Sequence, residues 1–240
     1  MREFNMLKKE KLNDRAQIVG YSVPNWTTRP FPDKKTHTGQ YCILQKIDKK
    51  VHFDDLYRFF GPESNSETWT YLSLNHFKNR DTFWNYLTKI EHEKQSIYYA
   101  IVDKSTQKVL GSFALVAIDQ ENGSLEIGYV IYSDSMKKTK IATEAQFLLM
   151  TYVFDQLGYR RYVWMCDDCN EASKHAATRL GFSFEGIFRN MWVYKNRNRD
   201  TAWFSITDYE WPSIKNRMEK WLNKSNFDNE GIQKNKLTDM

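Results

Sequence analysis

The chain has 240 residues, 41% hydrophobic and 15% aromatic, enough to bury a sizeable core. Charged residues make up 27% and leave a net charge of +5, a mild balance that tolerates acidic ligands without by itself implying nucleic acid. An odd count of three cysteines argues against a disulfide scaffold and for a reducing, cytoplasmic setting; no secretory leader, membrane span or prenylation signal is legible.

Residues 1–38 read as an extended N-terminal arm: the first twenty are charged and aperiodic, and "VPNWTTRPFPDKKTHTGQ" holds three of the five prolines. One domain is expected over residues 39–222, and the apolar-poor stretch 223–240 reads as a disordered tail. "YCILQKI" is a strand, and "FDDLYRFF" is helical up to Gly61-Pro62. Asp81 is placed to cap a helix that carries Phe83, Trp84, Leu87 and Ile90 on or near one face. Three strands follow, "SIYYAIVD", "KVLGSFALVAID" and "SLEIGYVIY". Residues 139–157 form the longest helical pattern, with Ile141, Ala145, Leu148, Leu149, Tyr152 and Val153 in a stripe and Gly158 at its end. Then come the strand "YRRYVWMC", a short helix between Asn170 and Gly181, and two strands separated by the polar "NRNR". A last helix spans 209–222. Meandering strands followed by two crossover helices imply a mixed α/β (α+β) sheet with helices on both faces.

The stretch "KKTKIATEA" sets Lys137, Lys138 and Lys140 where a strand ends and a helix begins. Cations oppose the dipole of a helix N-terminus, so three of them there need a reason. Free amides, lysines and the hydroxyls of Thr139 and Thr143 would suit a phosphate. A solvated first turn is the other reading.

With "EIGYVIY", "CNEASKHAATRLGFSFEGIFR" and "NRNRDTAWFSIT", this stretch resembles the GCN5-related N-acetyltransferase superfamily, in the branch of the ribosomal-protein-alanine N-acetyltransferases. The resemblance implies an acyl-CoA N-acyltransferase fold: a twisted, mostly antiparallel sheet splayed between its fourth and fifth strands, with acetyl-CoA as co-substrate and no metal. It places the pyrophosphate on the loop Lys137, Lys138, Thr139, Lys140, Ile141, Ala142 and Thr143. Lys140 stands where the family has glycine. The pantetheine arm would pair with main-chain groups of Tyr129, Val130 and Ile131, and Asn170 would bond the same arm or simply cap its helix.

Transfer to an amine requires that a proton leave the nucleophile and that the thiolate be helped to depart. Ala177 occupies the position of the tyrosine acid found in many relatives. Ser173, three residues after Asn170, matches the branch with serine near the sulfur, or completes the cap. Glu126 is the favoured base against a structural, sheet-face alternative, with Glu185 second. The acceptor is a primary amine, on a protein N-terminus or a small molecule. A non-catalytic acyl-CoA-binding or RNA-associated module on the same fold is the rival, kept open by Lys140 and Ala177.

Other features read as structural. "CDDC" lacks a second ligand pair for a metal, and "KNRNR" reads as a solvated hairpin tip before it reads as a contact for an acidic acceptor or RNA. Trp26, Trp69, Tyr71 and Trp84 fall in the third of the chain where relatives build the acceptor mouth.

Overall fold

The computed structural model describes residues 11–240. Residues 1–10 of the expected arm lie outside that range. A short hairpin of β1 (Lys11–Leu12) and β2 (Ile18–Val19) opens the described chain. The proline-rich stretch then lies along the molecule. Trp26 Nε1 donates to the Glu121 carbonyl at 2.7 Å, and the Asp33 and Lys34 amides donate to the Tyr152 hydroxyl at 3.1 and 3.2 Å.

Eight further strands form one sheet: β3 (Thr36–Thr38), β4 (Cys42–Lys46), β5 (Ile97–Asp103), β6 (Val109–Asp119), β7 (Ser124–Tyr132), β8 (Arg161–Asp167), β9 (Ser183–Tyr194) and β10 (Arg197–Thr207). Their order is β3-β4-β5-β6-β7-β8-β10-β9, antiparallel throughout except for β7 and β8. Successive residues of β5 serve opposite faces, as the period of two requires. Ala100 and Val102 join the core under α1 (Lys49–Phe60) and α2 (Arg80–Glu91), with Phe53, Leu56, Phe83 and Leu87. Tyr99 and Ile101 join the core under α3 (Lys140–Thr151), α4 (Glu171–Leu180) and α5 (Trp211–Leu222), with Leu149, Val153, Ala177 and Met218. The mixed, mostly antiparallel sheet with helices on both faces is therefore as the sequence implies.

Several boundaries differ, each for a local reason. The first helix begins four residues before Phe53, because Asp48 caps it by accepting the Lys50 amide at 2.8 Å. Asn79 rather than Asp81 caps α2, accepting the Thr82 amide at 2.9 Å; Asp81 lies in the first turn. Lys195 and Asn196 both have positive φ, 50° and 57°, the geometry of a two-residue hairpin turn. Arg197, Asn198 and Arg199 consequently belong to β10 and not to a loop. Residues 223–240, read from sequence as a disordered tail, pack instead: Leu237 is buried, Phe227 meets Trp221 edge-on at 5.1 Å, and Trp221 Nε1 donates to Gln233 at 2.9 Å.

Glu144 fixes α3 to the sheet. Its buried carboxylate accepts the main-chain amides of Gln40, Tyr41 and Cys42 at 2.6, 2.7 and 2.7 Å. Gly39 leaves room for it, since a Cβ there would stand 2.6 Å from that carboxyl group.

Candidate active site

β7 and β8 pair over three positions, Ser124 to Glu126 against Arg161 to Val163, and then part. Just beyond, β7 carries a bulge. Tyr129 and Val130 together oppose Phe113, between the pairs Gly128↔Ala114 and Ile131↔Ser112, and Tyr129 has φ +50°. A bulged strand with no partner on its other edge presents main-chain groups to an open gap. Tyr129 and Val130 line that gap, while the Ile131 side chain is buried in the core.

The loop that follows leads into α3. Thr139 is its N-cap, its hydroxyl 3.4 Å from the Ala142 amide, and the remaining amides of the first turn stand at an open helix start. The left-handed residue of this loop is Lys138, with φ +62°. Lys140 is the first helical residue, so the family's glycine position demands no glycine conformation here. The three lysines diverge. Lys137 pairs with Asp134 at 2.6 Å, Lys138 is exposed, and the Lys140 ammonium lies 4.6 Å from the Tyr41 ring centre and 5.2 Å from that of Phe227. Thr143 is buried, and its hydroxyl accepts from Arg179 at 3.1 and 3.2 Å. Ile141 lies at the edge of a second hollow, beside Ser133 and Asp134.

Where the strands part, a cleft of about 510 Å³ holds Glu126, Asn170 and Ser173 on its walls. Glu126 comes from β7, just before the bulge. Burial pushes the Glu126 carboxyl up to about 7, against the opposing pull of the Arg199 charge. Asn170 Oδ1 caps α4 by accepting the Ser173 amide at 3.1 Å. The Ser173 hydroxyl accepts from Trp164 Nε1 at 2.9 Å and lies against the buried Cys166 thiol, toward which it can donate. Glu185 is elsewhere, bound to Arg161 and to Ser205 Oγ.

Of the four aromatic residues read as the acceptor mouth, Tyr71 lines the cleft. Trp26 lies on the Glu121 turn, Trp69 is buried with Nε1 on Ser64 Oγ, and Trp84 packs on Phe53. The wall is built instead from Tyr86, Tyr98, Tyr129 and Trp192. The side chains of Tyr98 and Tyr129 face each other at 5.6 Å, and burial raises the Tyr86 and Tyr98 hydroxyls well above the usual range. The basic hairpin tip divides: Asn196, Arg197 and Asn198 are exposed, as a solvated tip would be, while Lys195 is half-buried and Arg199 buried. Lys195 Nζ donates to the Trp69 carbonyl at 2.5 Å and Arg197 to the Thr70 carbonyl at 2.6 Å, so the β9–β10 tip clasps the segment that leads to Tyr71. Arg199 turns inward and is buried.

Among the described residues there is no cluster of three or more potential metal-binding side chains, and no helix is long and apolar enough to cross a membrane.

A mostly antiparallel sheet that opens between two parallel strands, with a bulge at the opening and a helix start beside it, is the architecture of the GNAT acetyltransferases. The family model of the GNAT acetyltransferase domain matches residues 42–183, and the chain belongs to that family and is an N-acetyltransferase. A GCN5-related N-acetyltransferase of Brucella melitensis superposes with a TM-score of 0.87 at 43% identity, covering 90% of this chain and 98% of that one. An N-acetyltransferase of Bacillus licheniformis, p20, itself uncharacterized, is 30% identical over 152 residues, 62% of this chain and 84% of that protein. The uncharacterized N-acetyltransferase YoaA of Bacillus subtilis is 25% identical over 163 residues, 67% of this chain and 92% of that protein.

Proposed function

We propose that this chain transfers an acetyl group directly from acetyl-CoA to a primary amine held in the cleft, with Glu126 as base and Ser173 as the group beside the sulfur. The observation that carries the reading is that Glu126, from β7, and Ser173, from the helix after β8, line one cleft at the point where β7 and β8 part.

The residues present fit the co-substrate. The gap at the bulge offers main-chain groups of Tyr129, Val130 and Ile131 to an amide-bearing arm, and the α3 start with Lys138 offers donors and charge to phosphates. Acetyl-CoA, when bound, supplies a thioester carbonyl and a thiol leaving group. Glu126, held near 7, is ionised in sufficient amount at neutral pH to take a proton from an ammonium, directly or through one water. The Ser173 hydroxyl accepts from Trp164, and its proton can turn from the neighbouring Cys166 thiol to the departing sulfur. A serine hydroxyl is a weak acid, so its part is polarisation. Main-chain amides at the bulge orient and polarise the carbonyl.

The test is a thermal melt followed by a thiol-release assay. Acetyl-CoA at about 100 times its Kd adds about 2.7 kcal/mol to the native state, a rise of roughly 5–10 °C in Tm that adenosine does not reproduce. Amine-dependent thiol release completes the case. A shift without turnover on any amine would instead mark a non-catalytic binding module.

A further inference from the structure

Resting on the reading just given, we infer that the acceptor carries a carboxylate beside its amine, that Arg199 receives that carboxylate, and that the substrate class is therefore amino-acid-like rather than a polyamine or a protein N-terminus.

Arg199 is 8% exposed, yet among the described residues it forms no ion pair. Its Nε donates to Thr201 Oγ1 at 3.2 Å, and its guanidinium lies over Trp192 at 4.6 Å and Tyr194 at 5.8 Å. The terminal amino groups make no hydrogen bond to any described residue. A buried guanidinium without a carboxylate is costly, and a planar fork is suited to take one bidentately.

The other charges of the cleft do not fill that place. Asp167 accepts the Tyr194 hydroxyl at 2.6 Å and the Cys169 amide at 2.9 Å. Glu93 accepts the Lys94 and Gln95 amides at 2.8 and 3.0 Å. Glu126 feels the Arg199 charge without pairing with it. Lys89 and Glu93 are exposed, and Asp167 is hydrogen-bonded, so the charges of the cleft that are withdrawn from solvent and unpaired are those of Glu126 and Arg199. A zwitterion complements both, its ammonium toward Glu126 and its carboxylate toward Arg199. The clasp of Lys195 and Arg197 on the carbonyls of Trp69 and Thr70 holds in place the segment that brings Tyr71 and Leu72 to the cleft wall.

In the reaction the acceptor nitrogen forms the C–N bond as the C–S bond breaks. One proton leaves the ammonium through Glu126 and the second ends on the thiol, so the N-acetyl amino acid, free CoA and one proton are the products.

The experiment measures kcat/KM by thiol release for the common amino acids, each beside its amide and its decarboxylated amine, with spermidine and a short peptide added. At least one free acid is expected to exceed its amide and its decarboxylated amine by about 10- to 100-fold. Arg199→Met should bring that acid down to the level of its amide, mainly through KM, while Arg199→Lys keeps part of the preference. Equal turnover of acids and amides, rejection of every acid while spermidine or the peptide is acetylated, or a preference that survives Arg199→Met would overturn the inference and leave acetyl transfer standing. Should Arg199→Met fail to fold, the Arg199→Lys ratio and the wild-type panel decide. Turnover of no amine at all by protein that binds acetyl-CoA would sink both readings.

Discussion

The two ends of the cleft are made of different materials. At the donor end the groups that would meet acetyl-CoA are main-chain ones, at the Tyr129 bulge and the first turn of α3. At the acceptor end they are side chains from separate elements: Tyr86 from α2, Tyr98 from β5, Glu126 from β7, Trp192 from β9 and Arg199 from β10. A surface of backbone amides survives substitution as long as the backbone keeps its path, which is how Lys140 can stand where the family has glycine. A surface of side chains can be rebuilt one residue at a time. Donor recognition is thus a property of the fold, and acceptor recognition a property of the individual chain.

That contrast can be broken most sharply at Glu126. Glu126→Gln is expected to lower kcat/KM by about 10²- to 10⁴-fold, while the acetyl-CoA thermal shift persists. Activity within threefold of wild type would remove the base from the mechanism. The same residue sets the pH profile. Only the ionised carboxylate accepts a proton, so kcat/KM should fall as pH drops through about 7. Arg199→Met should move that limb upward, because the guanidinium charge holds the carboxyl down.

At the donor end the largest effect is one of stability. Glu144→Ala takes the shared acceptor from the Gln40, Tyr41 and Cys42 amides, one buried and two part-buried, and is expected to cost about 3–5 kcal/mol in urea unfolding. In a chain of this size that is a fall of roughly 6–15 °C in Tm. A loss under 1 kcal/mol would show that the turn at residues 40–42 finds other partners.

Ser173→Ala tests the boundary between the two ends. It should reduce kcat by about tenfold with acetyl-CoA affinity preserved. If Asn170 capping alone explains Ser173, kcat will not move. The smallest effect belongs to Lys138→Gly, which removes left-handed strain at φ +62° at the expense of a looser unfolded chain. A net gain of about 0.5 kcal/mol is expected, with weaker, less salt-sensitive acetyl-CoA binding if the lysine charge meets phosphate.

The legibility of the sequence follows the same division. Periodicity exposed the strands and α3 because each packs a regular apolar face. The family resemblance, borne out by the match over residues 42–183, rested on four stretches: "EIGYVIY" of β7, the loop and first turns of α3, α4 running into β9, and "NRNRDTAWFSIT" of β10. The acceptor wall was not legible, since its tyrosines and Arg199 are hundreds of possible pairings apart until the sheet is assembled. Tyr86 sits on a helix as any half-buried aromatic would, and Arg199 hides in a basic run whose neighbours Lys195 and Arg197 turn elsewhere. The order of residues 223–240 was hidden for a related reason: three apolar anchors, Phe227, Leu237 and Met240, are too few to raise a polar segment's mean hydropathy yet enough to seat it on a prepared surface.

The carboxylate of Glu144 also sets a schedule. Its three amide donors precede it by 102 to 104 positions, so during synthesis the turn at residues 40–42 leaves the ribosome long before the group that will hold it. Contacts of such separation form late, because a long loop must close first. The N-terminal strands β3 and β4 are thus fastened to α3 only after residue 144 has emerged, and until then they are exposed to pairing with another nascent chain.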